Sequence, residues 1–254
     1  QDPDETPESL EEAVEELFEQ NVDFENAEAR NKLEETVQRL CRVAADRSSQ
    51  MVARRSTICY ALNAKRSAAE IPTSTQFHGL VRLFRSILSG CEGDVGSVAN
   101  AKMCMMLAQT FYLKEGEGRD NRVFVRNRLA NHGLWADDEF WDQALYQCVA
   151  ESLTHSGVLS NFERKKAPQS EWVEESKIHW HDLHPMERTE AASQVHAVVF
   201  AQLGALAHSM MEFGCGMERA CAFVRRMSVR NQLPLAQRTM LLQHLLRTQE
   251  GDPK

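Results

Sequence analysis

Residues 74–112, STQFHGLVRLFRSILSGCEGDVGSVANAKMCMMLAQTFY, decide the fold class. Phe77, Leu80, Val81 and Phe84 recur at intervals of three and four, the period of one helix face rather than the alternation of a strand. Hydroxyl residues at its start offer an N-cap, and Gly90 reads as a helix-ending glycine. GCEGDVGS then forms a connecting loop. Its glycines at 90, 93 and 96 do not make a phosphate loop, which needs GxxxxGK[ST] after a strand. VANAKMCMMLAQTFYL is apolar on nearly every side, which predicts a helix at the centre of a core.

The same period runs outward through most of the chain. Ser9-x-x-Glu12 reads as a capping box ahead of the stripe Leu10, Val14, Leu17 and Phe18. Asn26 caps a helix carrying Leu33, Val37, Leu40 and Val43, and Met51, Ile58, Tyr60 and Leu62 continue in a third. RVFVR at 122–126 fits a short strand or a helix start equally well. Asp137 or Asp138 caps a helix with Phe140, Trp141, Leu145 and Val149 inward, and after Pro185 a long apolar helix precedes two short ones. About nine helices and no substantial sheet predict an irregular all-α fold. The expected organisation is an acidic N-terminal arm and first helix over 1–25, then a single helical domain over 26–250. A polar loop near 114–121 and an irregular stretch over 154–185 interrupt it.

Composition narrows the function classes. A chain of 254 residues, 43% apolar, can bury one large core or two small ones. Its apolar residues come in short periodic runs, none near the roughly 18 to 20 residues that span a bilayer. QDPDETPESL resembles no signal peptide, and its lack of an initiator Met leaves two readings, a fragment or a processed form. The seven cysteines, odd in number and without CxxC spacing, are expected to be buried free thiols of a reducing, cytoplasmic compartment. The net charge of −8 resides in nine acidic residues within 1–20, where no Lys or Arg occurs. That stretch reads as a solvated arm or as a segment docked on a basic surface, the solvated arm being the favoured reading, and the balance is opposite to that of a nucleic-acid binder.

HWHDLHPMER brings His179, His181 and His184 within six residues. Zinc sites use about four N or S ligands at helical or tight-turn spacing, and no paired cysteines or HExxH accompany these histidines. They are metal candidates, but the favoured reading is a polar loop anchored by Trp180 and Leu183. No nucleophile motif is present, so no catalytic residue and no cofactor is expected. Basic pairs recur at Arg54/Arg55, Lys65/Arg66, Arg82/Arg85, Arg126/Arg128 and Arg225/Arg226, mostly as solvated faces. Met103, Met105, Met106, Met210 and Met211 read as core filler.

Three segments carry a resemblance: residues 74–112, DDEFWDQALYQCVAESL, and VVFAQLGALAHSMMEFGCGMERACAFVRRMSVRNQLPLAQRTMLLQHL. In helix order and in the positions Phe77–Leu80–Val81–Phe84, Ala101-Lys102, Phe140-Trp141 and Leu203–Gly204…His208–Met210, they resemble the helical domain of the SET-binding-factor type. That domain occurs in DENN-containing, myotubularin-related pseudophosphatases and in a family of brain-expressed cytoplasmic proteins. The chain has no phosphatase Cys-x5-Arg signature, and in CAFVRR the arginines follow Cys221 too closely. The resemblance implies a non-catalytic interaction domain linked to membrane traffic or small-GTPase regulation, and carries over no site residue.

The leading expectation is an adaptor or scaffold domain with a protein partner. Arg82, Arg85, Arg126 and Trp135 are its candidate partner-binding residues, Trp135 being either an exposed anchor or a hydrophobic staple for the helix that follows. The alternatives are a regulator of a small GTPase, a phosphoinositide-binding module making peripheral membrane contact, and, third, a metal-dependent enzyme built on the three histidines and a residue of the next helix.

Overall fold

The amphipathic segment at the centre of that reading is the main helix of the structure, a computed structural model that describes residues 6–19, 26–48, 51–116, 121–155 and 185–250. Ten α-helices are present among them: α1 (Pro7–Glu16), α2 (Ala27–Ala45), α3 (Met51–Ala64), α4 (Ser74–Cys91), α5 (Val98–Ala108), α6 (Val125–Leu129), α7 (Asp138–His155), α8 (Pro185–Glu212), α9 (Met217–Arg230) and α10 (Leu235–Glu250). A small sheet joins β1 (Glu70–Ile71), β2 (Tyr112–Lys114) and β3 (Arg122–Phe124), with β1 parallel to β2 and β3 antiparallel to it. The fold is therefore predominantly all-α, as the sequence predicts. RVFVR satisfies both of its readings: Arg122–Phe124 is strand and α6 starts at Val125.

These residues group into two compact units, 1–140 with 212–214, and 141–211 with 215–254. The sequence reading placed a single domain over 26–250. The apolar period runs unbroken through α7, so no change of composition marks the division at Phe140/Trp141.

In the first unit α4 buries Phe77, Leu80, Val81, Leu83, Phe84, Ile87 and Leu88 against α2 on one side and α5 on the other. Thr73 caps it, its hydroxyl accepting from the Gln76 N–H at 3.2 Å. α2 answers with Leu33, Val37, Leu40, Val43 and Ala44, and Asn26 caps it as expected. Phe111 joins the helices to the sheet, its ring 5.3 Å from Phe18 and 6.3 Å from Phe84.

Gly90 does not end α4. The helix continues to Cys91, and a Cβ at Gly90 would overlap the Ala44 carbonyl oxygen and stand 3.2 Å from Arg55 Nη1. Gly79 lies three turns earlier on the same side, where a Cβ would come within 2.9 Å of Val37. The two glycines let α4 lie close on α2, a tertiary demand that spacing along the chain does not reveal. Gly90→Ala is therefore expected to destabilise the fold by about 1–3 kcal/mol despite the better helix propensity of alanine, because backbone cannot yield as a side chain does. A urea titration reads the difference directly.

The acidic N-terminus is not a solvated arm over residues 6–19. α1 packs on α3 and α2, with Leu10, Ala13 and Val14 fully buried and Leu17 nearly so. Its cap is Thr6, which accepts from the Ser9 N–H at 3.2 Å, with Pro7 in the first turn. The acidic residues face outward, where Glu15 pairs with Lys65 at 3.0 Å and Glu16 with Lys32 at 3.1 Å.

In the second unit α7 meets α9 through Trp141 and Phe223, with ring centroids 6.5 Å apart, and Asp142 pairs with Arg226 at 2.6 Å. α7 meets α8 where the Gln202 amide donates to Ser152 Oγ at 3.0 Å. Leu203, Leu206, Ala207 and Met210 of α8 are buried at helical spacing. No helix among the described residues is long and apolar enough to cross a membrane.

Candidate interaction surfaces

The arginines singled out by sequence are occupied within the chain. Arg82 grips Glu34 of α2 through both carboxylate oxygens, at 2.7 and 2.8 Å. This bonding, with a contribution from Gln38, lowers the Glu34 carboxyl below its ordinary range. Arg85, one turn on, reaches another neighbour: its Nη2 donates to the Arg128 carbonyl at the end of α6, at 2.7 Å. Arg126 pairs with Glu212 and lies over the Phe124 ring. Arg82 and Glu34 are each about half exposed, so their pair contributes about 0–1 kcal/mol.

Trp135 is not an exposed anchor, being 2% accessible. Its Nε1 donates to the Leu129 carbonyl at 2.9 Å, and its ring packs on Phe140 at 5.6 Å and on Phe213 at 4.7 Å. The contact with Phe140, in the first turn of α7, is the packing that a staple supplies. Beside it, His132 accepts from the Leu134 N–H through Nδ1 at 3.2 Å, and burial holds its pKa below the usual histidine value.

Arg55 departs furthest from its sequence reading as part of a solvated pair. It is fully buried. Its Nη1 donates to the Asp46 carbonyl, and its Nη2 donates to Ser97 Oγ at 2.9 Å and stands 3.5 Å from Asp94 Oδ2. Ser97 in turn donates to Asp94 at 2.6 Å. This cluster joins the end of α2, α3 and the loop before α5. It holds its own carboxylate, Asp94, and serves as a structural clasp, with Arg55 Nε left without a hydrogen-bond partner.

The cysteines offer no nucleophile in this core. Cys59 and Cys104 lie with sulfurs 4.0 Å apart, both fully buried. Burial pushes the Cys104 thiol well up, Cys59 adding to the effect, and pushes Cys91 to about 12. Thiols held protonated in this way are inert packing. All seven cysteines are free, four of them buried and three half-buried. Among the described residues no group of three His, Cys, Asp or Glu side chains could hold a metal ion, and His179, His181 and His184 lie outside those residues.

The second unit contains an open groove of about 490 Å³ between α8 and α10. One wall is Phe200, Ala201, Gly204, Ala205 and His208, a single face of α8, and the other is Met240, Leu241 and His244. At Gly204 the helices approach closely, since a Cβ there would stand 3.3 Å from Leu241 Cδ2. The small side chains beside it leave the channel unfilled. Ala201, Ala205, His208, Met240 and His244 are all exposed, so this is a trough on the surface. Sequence reading missed it because its two histidines lie 36 residues apart. The available signal was the uncharged run 191–211, whose small residues recur on one helix face.

An all-α packing domain with an open apolar groove has the form of a helical protein-interaction module. The family is shown by sequence: the SBF2 family model, described as "Myotubularin protein", matches residues 16–204, and the chain belongs to that family. It is also similar to the human protein named "Uncharacterized protein KIAA0513", at 25% identity over 138 residues, 54% of this chain and 32% of that protein. The match thus spans about a third of the relative's length. No solved structure matches the chain.

Proposed function

We propose that the chain is a non-enzymatic adaptor or scaffold domain of the cytoplasm, linked to membrane traffic, that holds a protein partner in the groove between α8 and α10. The observation that carries this reading is the groove itself: exposed apolar residues from two helices converge on one trough, with a polar rim, the anatomy of a binding surface. Membership in the SBF2 family supports it, as do thiols that are all free.

Arg82, Arg85 and Arg126 enter this proposal as secondary contacts. A partner, a GTPase or a phosphoinositide headgroup that recruits one of them must displace Glu34, the Arg128 carbonyl or Glu212. This competition favours the groove over the arginine face.

The test fills the trough. Ala205→Trp places an indole at an exposed position of the wall, where the core does not have to yield. The expected result is an unfolding midpoint close to that of the parent chain, with partners captured from lysate by the parent chain lost from the variant. An unchanged set of captured proteins overturns the groove as the site. Losses on Arg82→Glu/Arg85→Glu instead would move it to the arginine face.

A further inference from the structure

His132 stands where one proton would exchange one hydrogen bond for another. It caps the single helical turn Gly133–Ala136, its ring Nδ1 accepting from the Leu134 N–H at 3.2 Å. A ring nitrogen that accepts carries no hydrogen, so this bond belongs to an unprotonated Nδ1. Nε2 lies 3.3 Å from Ser89 Oγ on α4. Glu92 Oε1 stands 3.8 Å from the same Nδ1, beyond hydrogen-bond range. In the charged ring both nitrogens are donors. Nδ1 then needs an acceptor, which Glu92 is and the Leu134 N–H is not.

The surroundings hold the ring in its neutral state. Its side chain is 12% accessible and lies against the Trp135 ring. Burial lowers its pKa most, and the Arg85 cation of α4 adds to the effect, while the Glu92 carboxylate opposes it. That carboxylate is shared, because Arg47, from the segment between α2 and α3, pairs with it at 2.6 Å and donates to the Ser89 carbonyl at 3.2 Å.

The cap holds a strained loop in place. Asn131 has a φ of 66°, a left-handed conformation uncommon outside glycine, and its N–H donates to the Phe213 carbonyl at 3.1 Å. Gly214 follows with a φ of 85°, and a Cβ there would come within 2.8 Å of Asn131 Oδ1. Trp135, in the capped turn itself, packs on the Phe213 ring. His132 thus sits between the two contacts that fix Phe213 and Gly214 within the first unit.

We propose that His132 is a proton-operated latch: on acidification its Nδ1 exchanges the Leu134 N–H for the Glu92 carboxylate, and the loop over residues 130–137 loosens its hold on Phe213 and Gly214. This regulation lies outside the groove and does not rest on the adaptor reading.

Burial sets the direction of the pH dependence. The unfolded chain takes the proton near the ordinary histidine value of about 6.5, and the folded chain only at lower pH. The latch therefore contributes fully above about pH 6.5, and its contribution is lost as the pH falls through the folded value.

NMR of the full isotope-labelled chain follows the His132 ring and the Leu134 amide from about pH 7.5 to about pH 5. The ring is expected to titrate below about 6.5, and the Leu134 amide resonance to move with the same midpoint. Glu92→Gln is expected to lower that midpoint further, since the charged ring loses its acceptor. His132→Asn keeps an acceptor two residues before Leu134, as Asn26 does for the Glu28 N–H at 2.9 Å, but does not titrate. Its urea midpoint is expected to fall less than that of the parent chain between about pH 7.5 and about pH 5.5.

A ring midpoint at or above about 6.5 overturns the proposal, as does a Leu134 amide that does not follow the ring. An unchanged midpoint in Glu92→Gln removes the exchange of partners on which the latch depends. Equal losses of stability in His132→Asn and the parent chain would assign the pH dependence to other groups. Where His132→Asn does not fold, the titration of the parent chain decides alone.

Discussion

Removing residues 1–19 is expected to abolish the cooperative unfolding transition of the first unit. The deletion looks harmless by charge, since it discards most of an acidic stretch. It also takes away Leu10, Val14, Leu17 and Phe18, all buried. At about 1.5–3 kcal/mol for each large apolar side chain removed from water, the loss is roughly 6–12 kcal/mol, comparable with the roughly 5–15 kcal/mol that stabilises a whole domain. The damage extends beyond α1. The buried amide of Gln76 donates to the carbonyls of Leu17 at 3.1 Å and Glu19 at 2.9 Å, and both acceptors leave with the segment. Circular dichroism with a urea titration provides the check. A truncated chain that unfolds in one transition at the parent midpoint would show α1 to be dispensable and the packing around it irrelevant to stability.

Asp94→Ala is expected to be the most damaging single substitution at the surface of the first unit. Asp94 is one-third exposed, but its partner Arg55 is fully buried. Removing the carboxylate leaves an uncompensated cation in the core, the case that costs about 3–5 kcal/mol. Ser97 loses its acceptor as well, and the loop loses the Asp94 contact to the Gly96 N–H at 2.9 Å. Arg55→Met introduced alongside should recover part of the loss, since the orphaned charge is then gone. Such a double-mutant cycle reports a coupling of about 0.5–3 kcal/mol. Additive effects of the two substitutions would mean that the clasp contributes no interaction energy of its own.

The parts of the fold legible in sequence are those decided within a few residues. Asn26 stands directly before an apolar period and caps α2. Asp137 does the same for α7, accepting from the Glu139 N–H at 2.9 Å. The first cap shows how narrow the margin is. Ser9-x-x-Glu12 satisfies the capping pattern, yet Thr6-Pro7 wins three residues earlier, because proline is pre-organised for the first turn and the hydroxyl of Thr6 reaches Ser9.

Features decided by distant partners were not legible. Arg55 adjoins Arg54 and looks solvated, but its burial depends on Asp46 and Asp94, nine and 39 residues away. Gly90 looks like a helix end, and only the Ala44 backbone shows it to be a point of close approach. Trp135 was legible as a choice between anchor and staple, and the rings of Phe140 and Phe213 decide it. The groove needed both of its walls. His208 and His244 have no relation along the chain, and neither wall alone is more than one face of an amphipathic helix.

The uncharged run of α8 has a consequence during synthesis. Its apolar face is made before α9 and α10, and His244, the last α10 residue of the groove, follows Glu212 by 32 positions. At about 5–20 residues per second, the ribosome exposes that face for roughly two to six seconds before α10 can close on it. Until Leu241 settles against Gly204, the nascent chain offers an adhesive surface with no charge to keep neighbours away. The segment that shapes the mature groove is thus also one that leaves apolar surface uncovered while the chain is being made.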